Sequence, residues 1–483
     1  MAATAGTGQG VVFVGGGTRC YIPAAMKLST QLYGETFAFR DVKDVLGRAN
    51  EPRSGDVQAG LAPRSMREMA AAKWVLAHLT CKDLRENPSV PYEEDEVTRV
   101  CEDGLDDTAF RRVAGWTVAE LREWLLDPET TGADVAALSP GVTPEMAAAV
   151  AKLMTNMDLV MAGRKHRVVV RCNNTLGLEG RISSRLQPNH PRDQVAGVLA
   201  AVKDGLSFGN GDAVIGVNPA TGSIQNTVDI LKGVKDFMRQ WRVPTQNCVL
   251  SHLTVQMKAM EQGAPLDLMF QSIAGSEGAN RNFGISVKLL DEAYDLTLRE
   301  GTAQGPNVMY FESGQGTALS ANAHHGTDQV TMEARAHGLA RRYKPFLLNS
   351  VVGFIGPEYL RDAKEITRAG LEDHFMGKLL GIPMGCDACY TNHATADQND
   401  QENLEMLLGM AGVNYLMGIP MGDDVMLNYS TTSFHNNAAL RELLAMRPAP
   451  EFEAWMEEMG LWRNGRLTKR AGDPSIFTRR GVA

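Results

Sequence analysis

The chain has 483 residues and a formal net charge of −9 at pH 7. Hydrophobic residues make up 44% and charged residues 22%, which is typical of a folded protein and excludes a disordered or collagen-like chain. The negative charge balance gives no basic surface for nucleic acid, and a chain of this length can bury a large core. A small cationic ligand is compatible with this composition.

Membrane and secretion signals do not appear in the sequence. It has no run of eighteen apolar residues, and its N-terminus lacks the basic start and continuous apolar core of a secretory signal. The seven cysteines are scattered and odd in number, which fits reduced thiols better than a disulfide framework. We therefore expect a cytoplasmic protein without a membrane partner.

The first part of the chain predicts helices. Residues 1–25 are rich in Gly and Ala and form an N-terminal extension in this interpretation. Residues 26–160 contain apolar residues at helical spacing, as in SMREMAAAKWVLAHL, and Thr117 stands three before Glu120 as in a capping box. The pattern predicts a mainly helical N-terminal domain over 26–160.

Residues 161–430 alternate between short apolar or β-branched runs and amphipathic stretches. Eight strand candidates end at Gln187, Asn218, His252, Gln271, Glu312, Phe354, Asp387 and Gly418. Alternating strands and helices imply parallel pairing with right-handed crossovers. Eight such units predict the α/β fold of a closed (β/α)8 TIM barrel, with a doubly wound open sheet as the alternative. Residues 431–483 predict a short C-terminal helix and tail.

Polar residues lie at or near several of these strand ends. They are Arg185, Gln187, Asn218, Gln271, Glu312 and Asp387. In a barrel the C-terminal strand ends meet at one mouth, so we expect these side chains to converge. Two carboxylates, three amides and one guanidinium suit a small ligand with an ammonium group and a hydroxyl. Each residue alone is equally compatible with a helix cap or a loop hydrogen bond, but six together favour a site.

Glu312 is the candidate acid/base residue. It ends the apolar run Val308–Phe311, and a carboxylate that is buried beside a partner is the usual means of moving a proton near neutral pH. A single Glu after a strand is more often a surface acid. The other strand-end residues favour the catalytic interpretation.

Other chemical motifs are incomplete. Cys386-Asp387-Ala388-Cys389 followed by His393 is a fragment of a zinc or redox motif, but no second Cys pair has zinc-ribbon spacing. No G-x-S-x-G occurs, which argues against a nucleophile elbow. A barrel lyase or isomerase that uses a Schiff base needs a strand-end Lys, and none of the eight ends carries one.

Longer strings carry a resemblance to a known family. The most specific are RLQPN, GLSFGNGDAVIGVNP, FQSIAGSE, YFESGQGTALSA, RAGLEDHFMGKL and GCDACYTNHATADQN, and the likeness extends from Met26 to RLTKRAGDPSIF. On these strings the chain resembles the large, catalytic subunit of ethanolamine ammonia-lyases. The resemblance implies an adenosylcobalamin-dependent radical elimination that converts ethanolamine (2-aminoethanol) into acetaldehyde and ammonia. It also implies a small-subunit partner, a multi-subunit hetero-oligomer, and either a free cytoplasmic enzyme or one inside a bacterial microcompartment.

The same resemblance implies roles for the substrate ligands. Glu312 would contact both amine and hydroxyl and handle the proton. Gln187 and Asp387 would hold the ammonium group. Arg185 and Asn218 would hold the hydroxyl oxygen, and Arg185 would also stabilise charge that develops there.

For the cofactor and the pocket wall, the resemblance implies further contacts. Phe354 would supply an apolar wall beside the substrate. Cobalamin, with its cobalt held in the corrin, would cover the barrel mouth on Pro219, Gln271, Ser320 and Met426. A catalytically silent structural or binding subunit is the alternative, and the intact acids Glu312 and Asp387 argue against it.

Overall fold

Eight parallel strands form a nearly closed barrel in the computed structural model, which describes residues 27–425 and 428–478. The strands, β1 to β8, are Ser183–Leu186, Val214–Val217, Asn247–Val249, Met269–Ser272, Met309–Ser313, Leu347–Val352, Met384–Ala388 and Tyr415–Gly418. Seven neighbouring pairs are parallel, and β8 lies beside β1. The remaining gap, between β3 and β4, is bridged where the Leu268 N–H donates to the Asn247 carbonyl at 3.2 Å. The barrel prediction is confirmed, and the open-sheet alternative is wrong because strand order follows chain order.

A helix follows each barrel strand. The helices, α1 to α8, are Val195–Ser207, Ile224–Trp241, Leu253–Glu261, Val287–Glu300, Gln329–Arg341, Ala363–Leu379, Gln398–Met410 and Phe434–Leu443. Two shorter helices, Glu277–Asn282 and Thr317–Ser320, lie in the loops after β4 and β5. Side-chain caps start most of these helices, as where Ser223 accepts from the backbone N–H of Asn226. Among the described residues, no helix has the length and apolar character needed to cross a membrane.

Ten helices precede the barrel in the described residues. They are Val42–Arg48, Ser54–Gln58, Met66–His78, Cys81–Glu86, Glu96–Asp103, Asp107–Arg111, Val118–Leu126, Gly132–Leu138, Pro144–Leu153 and Asn156–Lys165. The capping box predicted at Thr117 is present, since Thr117 and Glu120 bond reciprocally. The predicted boundary at residue 160 stays a prediction, and residues 1–25 lie outside the described residues.

Short elements complete the chain. Antiparallel pairs join Ser29–Leu32 with Glu35–Ala38, Val170–Arg171 with Thr175–Leu176, Tyr390–Thr391 with Tyr429–Ser430, and Trp462–Arg463 with Arg466–Leu467. The 3-10 turns are Tyr92–Glu94, Ser139–Gly141, Pro420–Gly422 and Pro474–Phe477. A last α-helix, Pro450–Glu458, precedes the tail, whose Phe477 ring packs on Phe237 and Trp241 of α2 at centroid distances of 5.5 and 5.3 Å. The tail therefore packs on the outside of the barrel.

A buried arginine joins the N-terminal helices to the barrel. Arg335 of α5 is 1% exposed, and it donates to Asp95 at 2.9 Å and to Glu145 at 3.1 Å. Its Nε also donates to the Gly275 carbonyl in the loop after β4, at 2.8 Å. Nearby, the Lys152 ammonium pairs with Asp328 at 2.9 Å, with both side chains fully buried. Because these charges are satisfied only across the boundary, the two parts of the chain are held as one packed body.

Replacing Arg335 tests whether this arginine holds the N-terminal helices against the barrel. Arg335→Met would leave two buried carboxylates without their cation, and we expect it to lower the free energy of unfolding by about 3–5 kcal/mol. The matched control is Arg342→Met, which removes an arginine that is 47% exposed and paired with Asp291. That control should cost about 1 kcal/mol or less. Denaturant unfolding of the purified variants measures both, and equal losses would contradict the assigned role.

Candidate active site

A cavity of about 400 Å³ lies at the C-terminal ends of the barrel strands. Each strand, or the residues directly after it, contributes to the lining, with one example per strand being Gln187, Asn218, Leu250, Gln271, Glu312, Val351, Asp387 and Met417. Six of the residues predicted as ligands line it, namely Gln187, Asn218, Gln271, Glu312, Phe354 and Asp387. Parallel strands bring these side chains together although they lie far apart in the chain.

Strand register explains why the side chains face inward. In β5 and β6, Glu312 pairs with Asn349, and in β6 and β7, Asn349 pairs with Gly385. Paired residues of parallel strands point to the same side of the sheet. Gly385 leaves room for the ring of Tyr415 in β8, because a Cβ at residue 385 would lie 2.1 Å from that ring.

Glu312 is held through one carboxylate oxygen. Its Oε1 accepts from the Tyr310 hydroxyl at 2.5 Å and from the Asn349 amide at 3.4 Å. The Arg185 Nη2 lies 3.9 Å from the same oxygen. Within residues 27–425 and 428–478, no hydrogen bond or ion pair reaches Oε2. One oxygen is therefore fixed by the protein, and the other is available to a ligand in the cavity.

Arg185 lies immediately beneath the cavity and is not one of its lining residues. Its side chain is fully buried, and Nη1 donates to Gln187 Oε1 at 2.6 Å and contacts the Met417 sulfur. Its Nε and Nη2 have no hydrogen-bond partner among the described residues. An arginine stays protonated at all ordinary pH values, so a fixed positive charge with two unused donors underlies Gln187 and Glu312.

Asp424 and Tyr429, which follow β8, form the hydrogen bonds on one side of the cavity. The Gln187 Nε2 donates to Asp424 Oδ2 at 2.8 Å and to the Tyr429 hydroxyl at 3.0 Å. Asn189 donates to the same Asp424 oxygen at 2.7 Å, and its own Oδ1 accepts from the Asn218 backbone N–H at 2.8 Å. These bonds orient Gln187 so that its Oε1 faces Arg185.

Asp387 is the second acid of the cavity. It is 1% exposed, and the Thr431 hydroxyl donates to its Oδ1. Burial raises the pKa of Asp387 to about 7, although the Thr431 hydrogen bond and the Arg185 charge act in the opposite direction. A cation placed beside this carboxyl would favour its ionised form.

Cys386 and Cys389 stand on either side of Asp387 and Ala388 and are both buried. Burial raises the pKa of Cys386 and of Cys389 well above the usual range, and the Cys389 thiol contacts the Val352 carbonyl at 2.7 Å. No group of three potential metal ligands occurs in the part of the chain that the structure describes. Both thiols are buried, Cys386 on β7 and Cys389 directly after it.

The residues predicted to contact a cofactor lie in different places. Gln271 lines the cavity, where its amide accepts from the Leu253 backbone N–H and donates to the Ser272 carbonyl, both at 3.1 Å. Pro219 is partly buried directly after Asn218, and Ser320 is exposed at the end of a short helix; neither is a lining residue. Met426 lies outside the described residues.

Several residues of the site were missed in the sequence. Tyr310 stands two before Glu312 on the same strand, so strand periodicity could have identified it. His252 ends a predicted strand and lines the cavity, and both ring nitrogens are hydrogen-bonded, to Thr254 and to the Phe283 carbonyl. Asn349 and Tyr429 gave no local signal, because their position depends on register and on a distant loop.

The family model and the relatives that match this chain name the same family. A family model described as "Ethanolamine ammonia lyase large subunit (EutB)" matches residues 37–470. The ethanolamine ammonia-lyase large subunit of Salmonella typhimurium (strain LT2) is 55% identical over 452 residues, which covers 94% of this chain and 100% of that relative. The large subunit of Escherichia coli (strain K12) is 54% identical over the same shares.

The raised pKa of Asp387 gives a pH-dependent contribution to stability. The unfolded state loses this proton near pH 4 and the folded state near pH 7, so between these values the folded state binds more protons. Stability from this group therefore falls as pH rises through that window, by about 1.4 kcal/mol per pH unit, and levels off above pH 7.

Asp387→Asn should remove the part of the pH dependence of stability that comes from this carboxyl group. We expect the stability of the variant relative to wild type to increase from pH 5 to about pH 7 and then to stay constant. Thermal unfolding of both proteins at several pH values measures the difference. A difference independent of pH would show that Asp387 titrates normally.

Proposed function

Because the chain belongs to the family of ethanolamine ammonia-lyase large subunits, we propose that it carries the active site that eliminates ammonia from 2-aminoethanol, giving acetaldehyde. The family is one of carbon–nitrogen lyases. The observation that carries the proposal is the meeting of two carboxylates, Glu312 and Asp387, with Gln187 and the underlying Arg185 at one barrel mouth. These groups complement a small ammonium ion with a hydroxyl. A catalytically silent subunit would not need this arrangement.

The ammonium group is assigned to the Asp387 side of the cavity. Asp387 is buried and would ionise when a cation lies beside it, which gives a charge-assisted hydrogen bond in a setting with little water. Gln187 Oε1 already accepts from Arg185 at 2.6 Å, and its second lone pair can accept from the ammonium.

The hydroxyl is assigned to Glu312 and Asn218. Glu312 Oε2 is the carboxylate oxygen without a polar partner in the described residues, and Asn218 lines the same cavity. In this position Glu312 can accept a proton from the substrate and return one to the product. Arg185 lies 3.9 Å from Glu312 and would stabilise negative charge that develops on the substrate oxygen.

The cavity also suits a large cofactor above the substrate. Its volume of about 400 Å³ exceeds what a molecule as small as 2-aminoethanol fills. Apart from Glu312, Asp387 and His252 its lining side chains are not acidic or basic, and Phe283, Phe354 and Ile355 expose apolar surface. A corrin with amide substituents would be compatible with such a surface.

We assign contacts with adenosylcobalamin to Pro219, Gln271, Ser320 and Met426. When bound, this cofactor would supply the radical chemistry. The chain's own residues bind and orient the substrate, exclude water and hold the proton at Glu312. Phe354, whose ring meets Tyr429 edge to face at 5.3 Å, would form the apolar wall that excludes water.

A smaller partner chain is part of the proposal. The relatives are named large subunits, which implies a small subunit in those enzymes. We extend this to the present chain as a hetero-oligomer in which the small subunit is needed for activity.

Glu312→Gln tests the proton-handling role. We expect the variant to lose about 10²- to 10⁴-fold or more in turnover, because an amide cannot accept the substrate proton. The assay is aldehyde formation under anaerobic conditions with adenosylcobalamin, 2-aminoethanol and the co-purified small subunit. Cobalamin binding, followed by absorbance, should stay nearly unchanged.

The control for this variant is Glu292→Gln, on the exposed side of α4. It makes the same chemical change far from the cavity and should retain full turnover. Wild-type turnover in Glu312→Gln would remove the role assigned to Glu312.

The partner requirement is tested by purifying the chain alone. We expect little activity, or a protein that does not stay in solution, until the small subunit is added. Reconstitution with the small subunit should restore aldehyde formation. Full activity from the isolated chain would contradict the proposed assembly.

A further inference from the structure

Tyr310 lies directly between the two charged groups of the site. It precedes Glu312 by two residues on β5, so both side chains point into the barrel. The side chain is fully buried, and burial raises its pKa well above the usual range, which keeps the hydroxyl protonated. That hydroxyl donates to Glu312 Oε1 at 2.5 Å.

The ring of Tyr310 also supports Arg185. The Arg185 Cζ lies 5.5 Å from the ring centroid, within the range of a cation–π contact. The ring is fixed from another direction by Phe270, which meets it edge to face at 5.3 Å. One rigid side chain therefore contacts both Arg185 and Glu312.

The distance between Arg185 and Glu312 is unusual for such a buried pair. Arginine and carboxylate groups ordinarily close to about 2.7–2.9 Å. Here the Nη2 of Arg185 stays 3.9 Å from Oε1, outside hydrogen-bond range. The oxygen that faces Arg185 already accepts from Tyr310 and from Asn349. Its lone pairs are used by donors that carry no charge.

Because Arg185 and Glu312 stay apart, polar atoms of both side chains keep their hydrogen-bonding capacity. Arg185 keeps Nε and Nη2 without partners in the described residues, and Glu312 keeps Oε2. A closed ion pair would satisfy these groups internally, and a ligand would then have to break it before binding. Holding the pair apart leaves Glu312 open to a ligand in the cavity, with the positive charge of Arg185 directly beneath it.

We propose that Tyr310 is a positioning residue that prevents Arg185 and Glu312 from closing on each other, so that Glu312 stays available to the substrate and the Arg185 charge beneath it is not neutralised. The inference rests on the proposed function, since the substrate is taken to be the amino alcohol. Tyr310 acts through its neighbours and does not touch the reacting atoms.

The test is Tyr310→Phe in the assembly with the small subunit. The change removes one hydroxyl and keeps the ring that supports Arg185. We expect the dissociation constant for 2-aminoethanol, measured by titration calorimetry without cofactor, to rise about 10- to 100-fold. In the loaded enzyme, KM should rise by a similar factor while kcat changes less than KM. A crystal structure of the variant should show Arg185 within about 3 Å of Glu312.

Tyr343→Phe is the matched control. Tyr343 is also buried, and its hydroxyl lies 3.3 Å from the Val287 carbonyl and interacts with Asp291 and Arg342, in the outer helical layer. It should bind 2-aminoethanol as wild type does, and both variants should melt at similar temperatures. A melting temperature for Tyr310→Phe far below that of the control would make the role of Tyr310 structural and overturn the inference.

The outcomes separate this inference from the proposed function. If the wild-type assembly fails to bind 2-aminoethanol, the proposed substrate is wrong. If wild type binds it and Tyr310→Phe binds it equally well, only the inference is overturned. An unchanged distance of about 4 Å between Arg185 and Glu312 in the variant crystal would overturn it as well.

Discussion

The site depends on an ion pair that does not close. Arg185 and Glu312 are 3.9 Å apart in the barrel interior, where attraction between opposite charges is strong. The neutral Tyr310 hydroxyl and Asn349 amide donate to the Glu312 oxygen that faces Arg185. Gln187 accepts from one end of the Arg185 guanidinium. The protein thus holds charge and hydrogen-bonding capacity ready at the mouth of the barrel.

The barrel provides the rigidity that this arrangement requires. Tyr310 and Glu312 stand on one strand, Asn349 on the next, and Arg185 on the opposite part of the sheet, so backbone hydrogen bonds fix their spacing. Tyr429, in the short strand Tyr429–Ser430 that follows β8, accepts from Gln187 Nε2 at 3.0 Å. The charged residues of the site therefore stand on the barrel strands, and Tyr429 adds a contact from outside the barrel sheet.

Much of this could be predicted from the sequence, for identifiable reasons. The barrel was predictable because the eight strand candidates are short apolar or β-branched runs, six of which end in a polar residue, and they alternate with amphipathic helices. The cavity residues followed from the rule that strand ends converge. What could not be predicted depends on three-dimensional register: Asn349 and the depth of Arg185 follow from how neighbouring strands pair. Pro219 and Ser320, suggested by resemblance, do not line the cavity in the described structure.

Helices α5 and α6 differ from ordinary barrel helices. In α5 every residue from Gln329 to Ala340 is buried, and in α6 burial is nearly as complete, because the N-terminal helices cover them. Most barrel helices turn one side to solvent and one to the sheet, whereas these two are enclosed on all sides. Another protein chain consequently has no access to their outer surfaces. Any quaternary contact made by this flank of the molecule has to be made by the covering helices.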